Sequence, residues 1–503
     1  MNLPSTHTYR SSRPDVFLIL IIGLAVGVGL PAAVYLPAKW MFFIIFLMFA
    51  FSLFLIIRER EKLLLYLCVV LTGVYLGFHP IFIQTAVFFW PISGFRITIF
   101  EVAFFFLFAS WLIRLWMNPV LKVRFYPWIT IPFLLLWLLS LAGLSRADMP
   151  GVIKFSNLWL LLESWLIFLY FANNIRDRKL VYNIVIVLVA AGMLQSVLGL
   201  GQYFSGSTLG LQIFGETKSY NVAGAGTELI SRVSGTFGHP NNLAGYLVMV
   251  ALINLALFWA RVAPRVKLLL FFTLLVISVT LILTFSRGGW LALGFGGLLT
   301  LFLCFLHRSR HGVISLILAV SLVVIFFVSS VTLITPLRNR LFMEDYGAAR
   351  VRFPLMQVAL NIISHRPWLG VGLGNYVFAA PPYDISREGV SYEFPRPVHN
   401  EFLLIAAEQG LPALALFLVI LSYIVIQLLR RARSRDDPIL PYIAMGLVGT
   451  FFAWCIFRLT DYNYVLLGDP FWLLAGLSMA LVQLNGKQAD IPPPEGQAPH
   501  SSQ

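Results

Sequence analysis

The chain has 503 residues, of which 59% are hydrophobic and only 12% are charged, and its formal net charge is +14. A soluble globular chain is usually about one quarter charged, so this composition leaves too little polar surface for a water-exposed particle. The positive charge does not indicate nucleic-acid binding, because many basic residues lie in short loops between apolar runs. The composition therefore predicts a membrane protein.

Apolar runs close to the length that crosses a bilayer, about 20 residues, recur along the chain. The first, residues 16–36, is long for a signal peptide and no small-x-small cleavage site follows it, so we interpret it as a retained first span. The other predicted spans are residues 40–57, 63–79, 97–116, 128–145, 152–172, 179–203, 240–260, 266–284, 288–306, 312–334, 400–429, 439–457 and 467–484. The pattern predicts an all-α polytopic fold with about 14 transmembrane helices in a single domain over residues 16–485.

Basic residues recur in every second loop between these spans. The basic segments are residues 58–62, 122–124, 176–179, 261–267, 307–311 and 430–435. Short loops rich in Lys and Arg stay in the cytoplasm, so the N-terminal segment, residues 1–15, and the C-terminus are both predicted to be cytoplasmic. Residues 486–503 are rich in Pro, Gln and Ser and are predicted to form a disordered cytoplasmic tail.

Two long connections fall on the opposite, outer face, at about residues 204–239 and 335–399. Loops of this length are usually functional or disordered, and the aromatic residues and helical pattern of the second favour a folded loop. Within it, residues 349–364 have apolar positions at three- and four-residue spacing, which predicts a helix with one apolar face. These positions are Val351, Leu355, Val358 and Ile362. Such a helix either lies on the membrane surface or caps the helix bundle.

Arg287 is the clearest ionisable residue at an outer span end. It lies in the tight link 284–290 between two apolar runs, so its guanidinium is predicted at the outer membrane boundary. Ionisable groups at membrane depth are costly, and those retained are candidate site residues. An Arg at this position can hold a pyrophosphate with its bidentate fork, or it can snorkel to lipid headgroups.

Arg232 precedes a short polar segment, residues 234–242, that leads into a predicted span. It is either a second ligand for the same anionic group or a simple loop charge. Asn241 or Asn242 is predicted to cap the following helix. His239 is interpreted as a loop residue packed beside that cap.

A late span opens with His399 and Asn400 and continues past Glu408 and Gly410. From residue 401 a straight helix would measure about 43 Å, which exceeds the roughly 30 Å hydrocarbon core. A break is therefore predicted at Gly410 and Pro412. His399 tops this helix, where a neutral imidazole can accept a proton from a sugar hydroxyl; the alternative is a solvated or capping His. Glu408 either orients a partner or pairs with an Arg of another outer segment.

The glycine-rich segment 367–376 resembles a nucleotide-binding loop only superficially, because no strand precedes it and it lies on the wrong face for ATP or NAD. We interpret it as a tight structural turn. Arg458 and Asp461, which flank the short turn before the last span, are interpreted as a simple surface pair.

The sequence predicts neither a metal site nor a cofactor. It has no Walker A sequence, no HExxH and no Asp-x-Asp pair in an outer loop. Its three Cys residues lie far apart inside apolar runs, which favours neither a zinc site nor a disulfide.

Four segments, taken in this order, resemble the O-antigen ligase and O-antigen polymerase superfamily of bacterial inner-membrane proteins. They are residues 235–241, residues 286–291 with an Arg-x3-Leu pattern, residues 365–376, and His399-Asn400 followed by nine residues and Gly410. The resemblance runs from about Arg232 to Gly410. The family's longer pattern has a further Gly where this chain has Ala413, which is a small-for-small change.

The resemblance implies a GT-C-like helical fold in the bacterial inner membrane and metal-independent, inverting glycosyl transfer. The implied donor is a glycan on undecaprenyl pyrophosphate, and the acceptor is a glycan, lipid or protein hydroxyl. When the family's residue roles are carried over to this chain, Arg287 and Arg232 bind the pyrophosphate, and His399 serves as base or orients the acceptor. Asn400 and Glu408 are assigned to the same substrate site. The other expected partners are membrane lipids, and nucleic acid is not expected.

Ligation to lipid A-core, polymerisation of repeat units and glycosylation of protein share this chemistry, and the sequence does not separate them. The alternative from a different functional class is a lipid-linked oligosaccharide flippase or another transporter. A transporter would place charged residues in mid-span, facing a central cavity. Glu101, Glu163 and Gln195 are the few mid-span exceptions, whereas most charges lie at the outer ends, which favours a transferase.

Overall fold

A computed structural model of the protein describes residues 60–74, 77–82, 94–217, 220–223, 229–308, 348–387, 389–464, 466 and 470–484. This part of the chain is mostly helical. Its helices are α1 (Arg60–Leu71), α2 (Ile99–Met117), α3 (Pro127–Leu144), α4 (Gly151–Asn174), α5 (Arg178–Ser205), α6 (Pro240–Phe258), α7 (Pro264–Leu283), α8 (Arg287–Arg308), α9 (Ala348–His365), α10 (Tyr376–Ala379), α11 (Val390–Glu393), α12 (Glu401–Ala432), α13 (Leu440–Arg458) and α14 (Pro470–Gln483).

Nine helices within the described residues, α2 to α8, α12 and α13, are long and apolar enough to cross a membrane. This finding confirms a mostly helical polytopic membrane protein. The predicted spans 16–36, 40–57 and 312–334 lie outside the described residues, as do both terminal segments. The total of 14 spans and the GT-C-like arrangement therefore stay predictions.

Helix boundaries follow local signals that the sequence carries. Thr98 and Glu101 form a reciprocal capping box at the start of α2, and the Asp177 side chain accepts the N–H of Leu180 at the start of α5. Proline occupies the first turn of α3, α6, α7 and α13, where its missing N–H would have had no intrahelical partner. These signals place most ends within three residues of the predicted ones.

Two antiparallel hairpins correct the expectation of a purely helical chain. The span predicted at 63–79 is helical only as far as Leu71, and strand β1 (Gly77–Phe82) follows and pairs with β2 (Gly94–Thr98). Pro80, which cannot lie in a helix interior, falls within β1. The second hairpin pairs β3 (Tyr220–Ala223) with β4 (Leu229–Arg232) and leads directly to Arg232.

The basic loops gather at one end of the helix bundle, here called the basic end. There Arg114 pairs with Glu61 at 2.9 Å, and Arg178 pairs with Asp437 at 3.1 Å. The opposite end, which carries His399, is called the His399 end. The grouping agrees with the alternation of charge along the sequence, and which end faces the cytoplasm stays a prediction.

Helix α12 is broken at Gly410, as its length predicts. The residue has φ 86° and ψ 167°, a conformation that essentially only glycine adopts. The glycine-rich turn 367–374 fills the break: the N–H groups of Val371 and Gly372 donate to the carbonyls of Ala407 and Glu408 at 3.0 and 2.7 Å. These carbonyls would otherwise be orphaned at the end of the first helical half. The segment is therefore a structural turn.

Replacing Gly410 with Ala is expected to destabilise the protein by at least about 3 kcal/mol. The new Cβ would overlap the carbonyl oxygen of Trp368 and would impose a forbidden backbone conformation. The matched control is Gly294→Ala in helix α8, where nothing lies within 4 Å of the added carbon. Thermal unfolding in detergent should show a large fall in the midpoint temperature for Gly410→Ala and little change for Gly294→Ala. Equal midpoints for the two variants would contradict the packing described here.

Helix α9 confirms the predicted amphipathic helix in the second long connection. The side chains of Leu355, Val358 and Ile362 are each at most 1% exposed. The helix packs on α12, and the Tyr376 hydroxyl donates to the Leu355 carbonyl at 2.9 Å. Because its apolar face is covered by protein, α9 caps the bundle.

Candidate functional site

His399 and Asp461 form a close pair at the His399 end. The Nδ1 atom of His399 lies 3.4 Å from Oδ1 of Asp461, and the imidazole packs edge-on against the Tyr462 ring. His399 lies two residues before α12, and Asp461 lies three residues after α13. An ionised Asp461 favours the tautomer with the proton on Nδ1, which leaves Nε2 as the proton-accepting nitrogen.

A hydrogen-bonded chain connects this pair to Arg232. The side-chain amide Nδ2 of Asn241 donates to Oδ2 of Asp461 at 2.8 Å, and Arg232 donates to the side-chain oxygen Oδ1 of Asn241 at 2.9 Å. The Nε of Arg232 also donates to the Thr284 carbonyl at 2.8 Å, in the link between α7 and α8. Arg232 and His399, distant in sequence, therefore belong to one network.

The electrostatics of the network favour an ionised Asp461. Burial raises the pKa of this carboxyl, but the contact with His399 and the charges of Arg458 and His239 outweigh burial and lower the pKa to about 2. Arg458 and Asp461 are 6% and 9% exposed. The interpretation of Arg458 and Asp461 as a simple surface pair is therefore wrong, because the loop folds inward and brings the carboxylate to His399.

His239 is the N-cap of α6, which corrects the prediction of Asn241 or Asn242. Its Nδ1 accepts the N–H of Asn241 at 3.1 Å. Pro240 fixes the first helical position, so the cap falls on the residue before it. Burial lowers the pKa of His239 to about 4, Asp461 opposes this shift, and Arg232 and other neighbouring cations add to it.

The free energy of unfolding should fall as the pH drops from about 6.5 to about 4. In this range the unfolded chain binds a proton at residue 239. The folded protein keeps the imidazole neutral, so that its Nδ1 still accepts the N–H of Asn241. His239→Asn should retain the cap and remove this part of the pH dependence, which amounts to at most about 3 kcal/mol. Thermal unfolding in detergent across this range measures the effect, with His365→Asn as the control. Parallel pH profiles for wild type and His239→Asn would contradict the assignment.

Two buried glutamines of α5 hold the segment that leads to His239. The side-chain oxygen of Gln202 accepts the N–H groups of Ser234 and Gly235 at 3.1 and 2.8 Å. The Gln195 side chain is hydrogen-bonded to Thr236. Gln195, a polar exception in a predicted span, is therefore a positioning residue for this loop.

Arg287 begins α8 at the same end of the bundle. A Cβ at the adjacent Gly288 would touch Thr460 and Phe457, so this turn of α8 lies against the turn that carries Asp461. Phe285, two residues earlier, has φ 50° and is one of two non-glycine residues with positive φ among the described ones. Such backbone strain clusters at functional sites. Arg287 as a ligand stays a prediction.

A cavity of about 200 Å³ adjoins the network. Asn241, Arg458 and Asn463 contribute to its wall, and the Asn463 N–H donates to Glu401 in the first turn of α12. The remaining wall is mostly apolar, which is typical of a ligand pocket with a few placed polar groups.

Residues 271–418, a little under a third of the chain, match a family described as O-antigen ligase. The match supports the superfamily resemblance and a membrane enzyme of the ligase and polymerase type that transfers glycans. No curated protein matches the chain.

The matched segment includes Arg287, the turn at 367–374 and His399. Arg232 and Asp461 lie outside the matched residues, one before and one after them. The network at the His399 end therefore joins the matched segment to the flanking parts of the chain.

Asn400 and Glu408, both predicted to bind substrate, have structural roles within the matched segment. Asn400 is the N-cap of α12, and its oxygen accepts the N–H groups of Phe402 and Leu403. Glu408 is 1% exposed and accepts the N–H groups of Gly374 and Tyr376 at 2.8 and 3.1 Å. The Tyr464 hydroxyl donates to it as well, at 3.3 Å. Within the described residues these partners replace the Arg expected beside it, and a substrate contact at either residue stays a prediction.

Sequence reasoning missed Asp461 and Arg458 beside His399, and Arg96, which lines the same cavity as Arg458. The only signal was their position at the ends of predicted spans, where retained charges are costly. In the part of the chain that the structure describes, no group of three His, Cys, Asp or Glu side chains is placed to hold a metal ion.

Proposed function

We propose that this protein transfers a glycan from an undecaprenyl-pyrophosphate-linked donor to an acceptor hydroxyl at the His399 end. One observation carries the proposal: Arg232, Asn241, Asp461 and His399 form a single network beside a cavity. The reaction needs a base for the hydroxyl and fixed positive charge for the departing pyrophosphate. The network brings an imidazole and a guanidinium together.

In the proposed reaction the Nε2 of His399 takes the proton of the acceptor hydroxyl. Asp461 holds the imidazole through Nδ1 and stabilises the imidazolium that forms. The acceptor oxygen forms a bond to the anomeric carbon as the carbon–oxygen bond to the pyrophosphate breaks. The electron pair of the broken bond leaves with the pyrophosphate, and the proton later passes from His399 to water. This single displacement inverts the anomeric centre and needs no covalent enzyme intermediate.

Arg287 and Arg232 are proposed to hold the pyrophosphate. Charge develops on this leaving group in the transition state, and preorganised donors aimed at it give the largest stabilisation. The Arg232 side chain is already oriented by Asn241 and the Thr284 carbonyl. The two guanidinium groups supply the positive charge for departure, so the proposal includes no catalytic metal.

Ligation, polymerisation and protein glycosylation remain variants of the same proposed chemistry. Purified protein should be incubated with a lipid-pyrophosphate-linked glycan and, in turn, with lipid A-core, a second lipid-linked glycan and an acceptor protein. Product identification by mass spectrometry separates the three. Transfer to none of them, with donor confirmed intact and protein folded, would reject the proposed function.

One observation bears on the rival transporter function. Arg96, Glu101 and Glu163 line the cavity, and charges facing a cavity are what a transporter would need. Along α6 the lining reaches Met249, about 13 Å from the helix start, whereas the whole helix measures about 28 Å. A lining that ends midway along α6 favours a binding site over a continuous route across the membrane.

A further inference from the structure

The cavity beside the network contains a second polar cluster that the proposed chemistry does not use. Arg96 precedes α2, Glu101 lies in the first turn of α2, and Glu163 lies midway along α4. Arg96 is close enough to act electrostatically on both carboxylates, and the two carboxylates act on each other. All three residues line the cavity that Asn241 and Arg458 share with the His399 network.

The two carboxylates differ in their local roles. Glu101 completes the capping box of α2, where Oε2 accepts the Thr98 N–H at 2.6 Å. Glu163 caps no helix and is only 5% exposed. Its Oε2 is buried and has no hydrogen-bond partner among the residues that the structure describes. An unsatisfied buried carboxylate oxygen is costly, so a donor that arrives with a ligand would stabilise it.

The chemistry of the wall restricts what that ligand can be. A polyprenyl chain has no hydrogen-bond donor for Glu163, and the oxygens of a pyrophosphate diester accept hydrogen bonds rather than donate them. A sugar ring offers hydroxyl or amide hydrogens to a carboxylate and an apolar face to aromatic side chains. Phe100, Trp454 and Phe471 provide such aromatic surfaces in the same cavity.

We propose that this cavity binds the sugar ring attached directly to the pyrophosphate of the donor, and that Glu163 accepts a hydroxyl or amide hydrogen from that ring. The inference rests on the proposed glycan transfer and deepens it, because it names a residue that determines donor specificity. The shared wall residues Asn241 and Arg458 place this ring next to the His399 network, where its anomeric carbon has to react.

The test compares two probes on the full-length protein in nanodiscs. One is a polyprenyl pyrophosphate that carries a single N-acetylhexosamine ring, and the other is the same lipid without sugar. Glu163→Gln should weaken the dissociation constant of the sugar-bearing probe at least tenfold and leave that of the sugar-free probe within twofold. Glu163→Leu should leave the dissociation constant of the sugar-free probe within twofold of the wild-type value, because that probe lacks the ring that Glu163 would contact.

The matched control is Glu61→Gln, which removes a carboxylate at the basic end and should change neither constant. Thermal unfolding checks that each variant is folded. Equal weakening for both probes, or no weakening for either, would overturn the sugar subsite. Wild-type protein that binds neither probe and transfers no glycan would instead reject the proposed function itself.

Discussion

Replacing His399 with Ala is expected to lower the rate of glycan transfer by about 10²–10⁴-fold while donor binding is retained. The substitution removes the base that takes the acceptor proton, whereas the arginines that would hold the pyrophosphate remain. Transfer of a labelled glycan in proteoliposomes, together with donor binding, measures both effects. The control is His365→Ala, an exposed histidine at the end of α9.

Asp461→Asn tests the same base through its partner. The isosteric amide can present an N–H to Nδ1 of His399 and so stabilise the tautomer whose Nε2 carries the proton. Activity should then fall by about 10²–10⁴-fold, as for a base held in the wrong tautomer. The double variant should lose little more than either single variant, because residues that act as a unit are not additive. Additive losses, or near-normal transfer by His399→Ala, would show that this pair is not the reaction centre.

Arg287→Ala is expected to lower kcat/KM for the lipid-linked donor by about 10²-fold or more. The guanidinium would offer two parallel donors to phosphate oxygens, and truncation removes both the charge and the fork. Arg287→Lys keeps the charge alone, so it should recover only part of the loss. Donor titration in the transfer assay measures the effect.

The control for this variant is Arg265→Ala, which removes an exposed cation from the first turn of α7. If Arg287 only snorkels to lipid headgroups, the two variants will lose similar, small amounts of activity. A selective loss at Arg287 would support a ligand role for the guanidinium at the start of α8.

Much of the helical framework could be predicted from the sequence because it depends on local signals. Apolar runs set the length of the spans, and Pro240 and Pro264 set where two of them begin. The break at Gly410 was also predictable, because a straight helix would be too long for the bilayer. The first hairpin was not, because its strands are held by each other across a gap in sequence.

The candidate site could be predicted only in part. His399, Arg232 and Arg287 stood out as ionisable groups at span ends, and the structure brings all three to one end of the bundle. Asp461 was misinterpreted, because a carboxylate beside an Arg in a short turn has the same local pattern whether it faces solvent or a histidine. Its direction depends on the packing of α13 against the helices around it.

By itself, the sequence determined the membrane class, the positions of most spans and a short set of candidate side chains. Hydrophobic periodicity, helix capping and the cost of a buried charge each depend on residues within about one helix length. They can therefore be recognised from the sequence alone. Only the tertiary structure decided that Asp461 lies beside His399, that Asn241 links this pair to Arg232, and that Glu163 faces their cavity. The contacts of Asp461 with His399 and with Asn241 join residues 62 and 220 positions apart, and only helix packing brings such residues together.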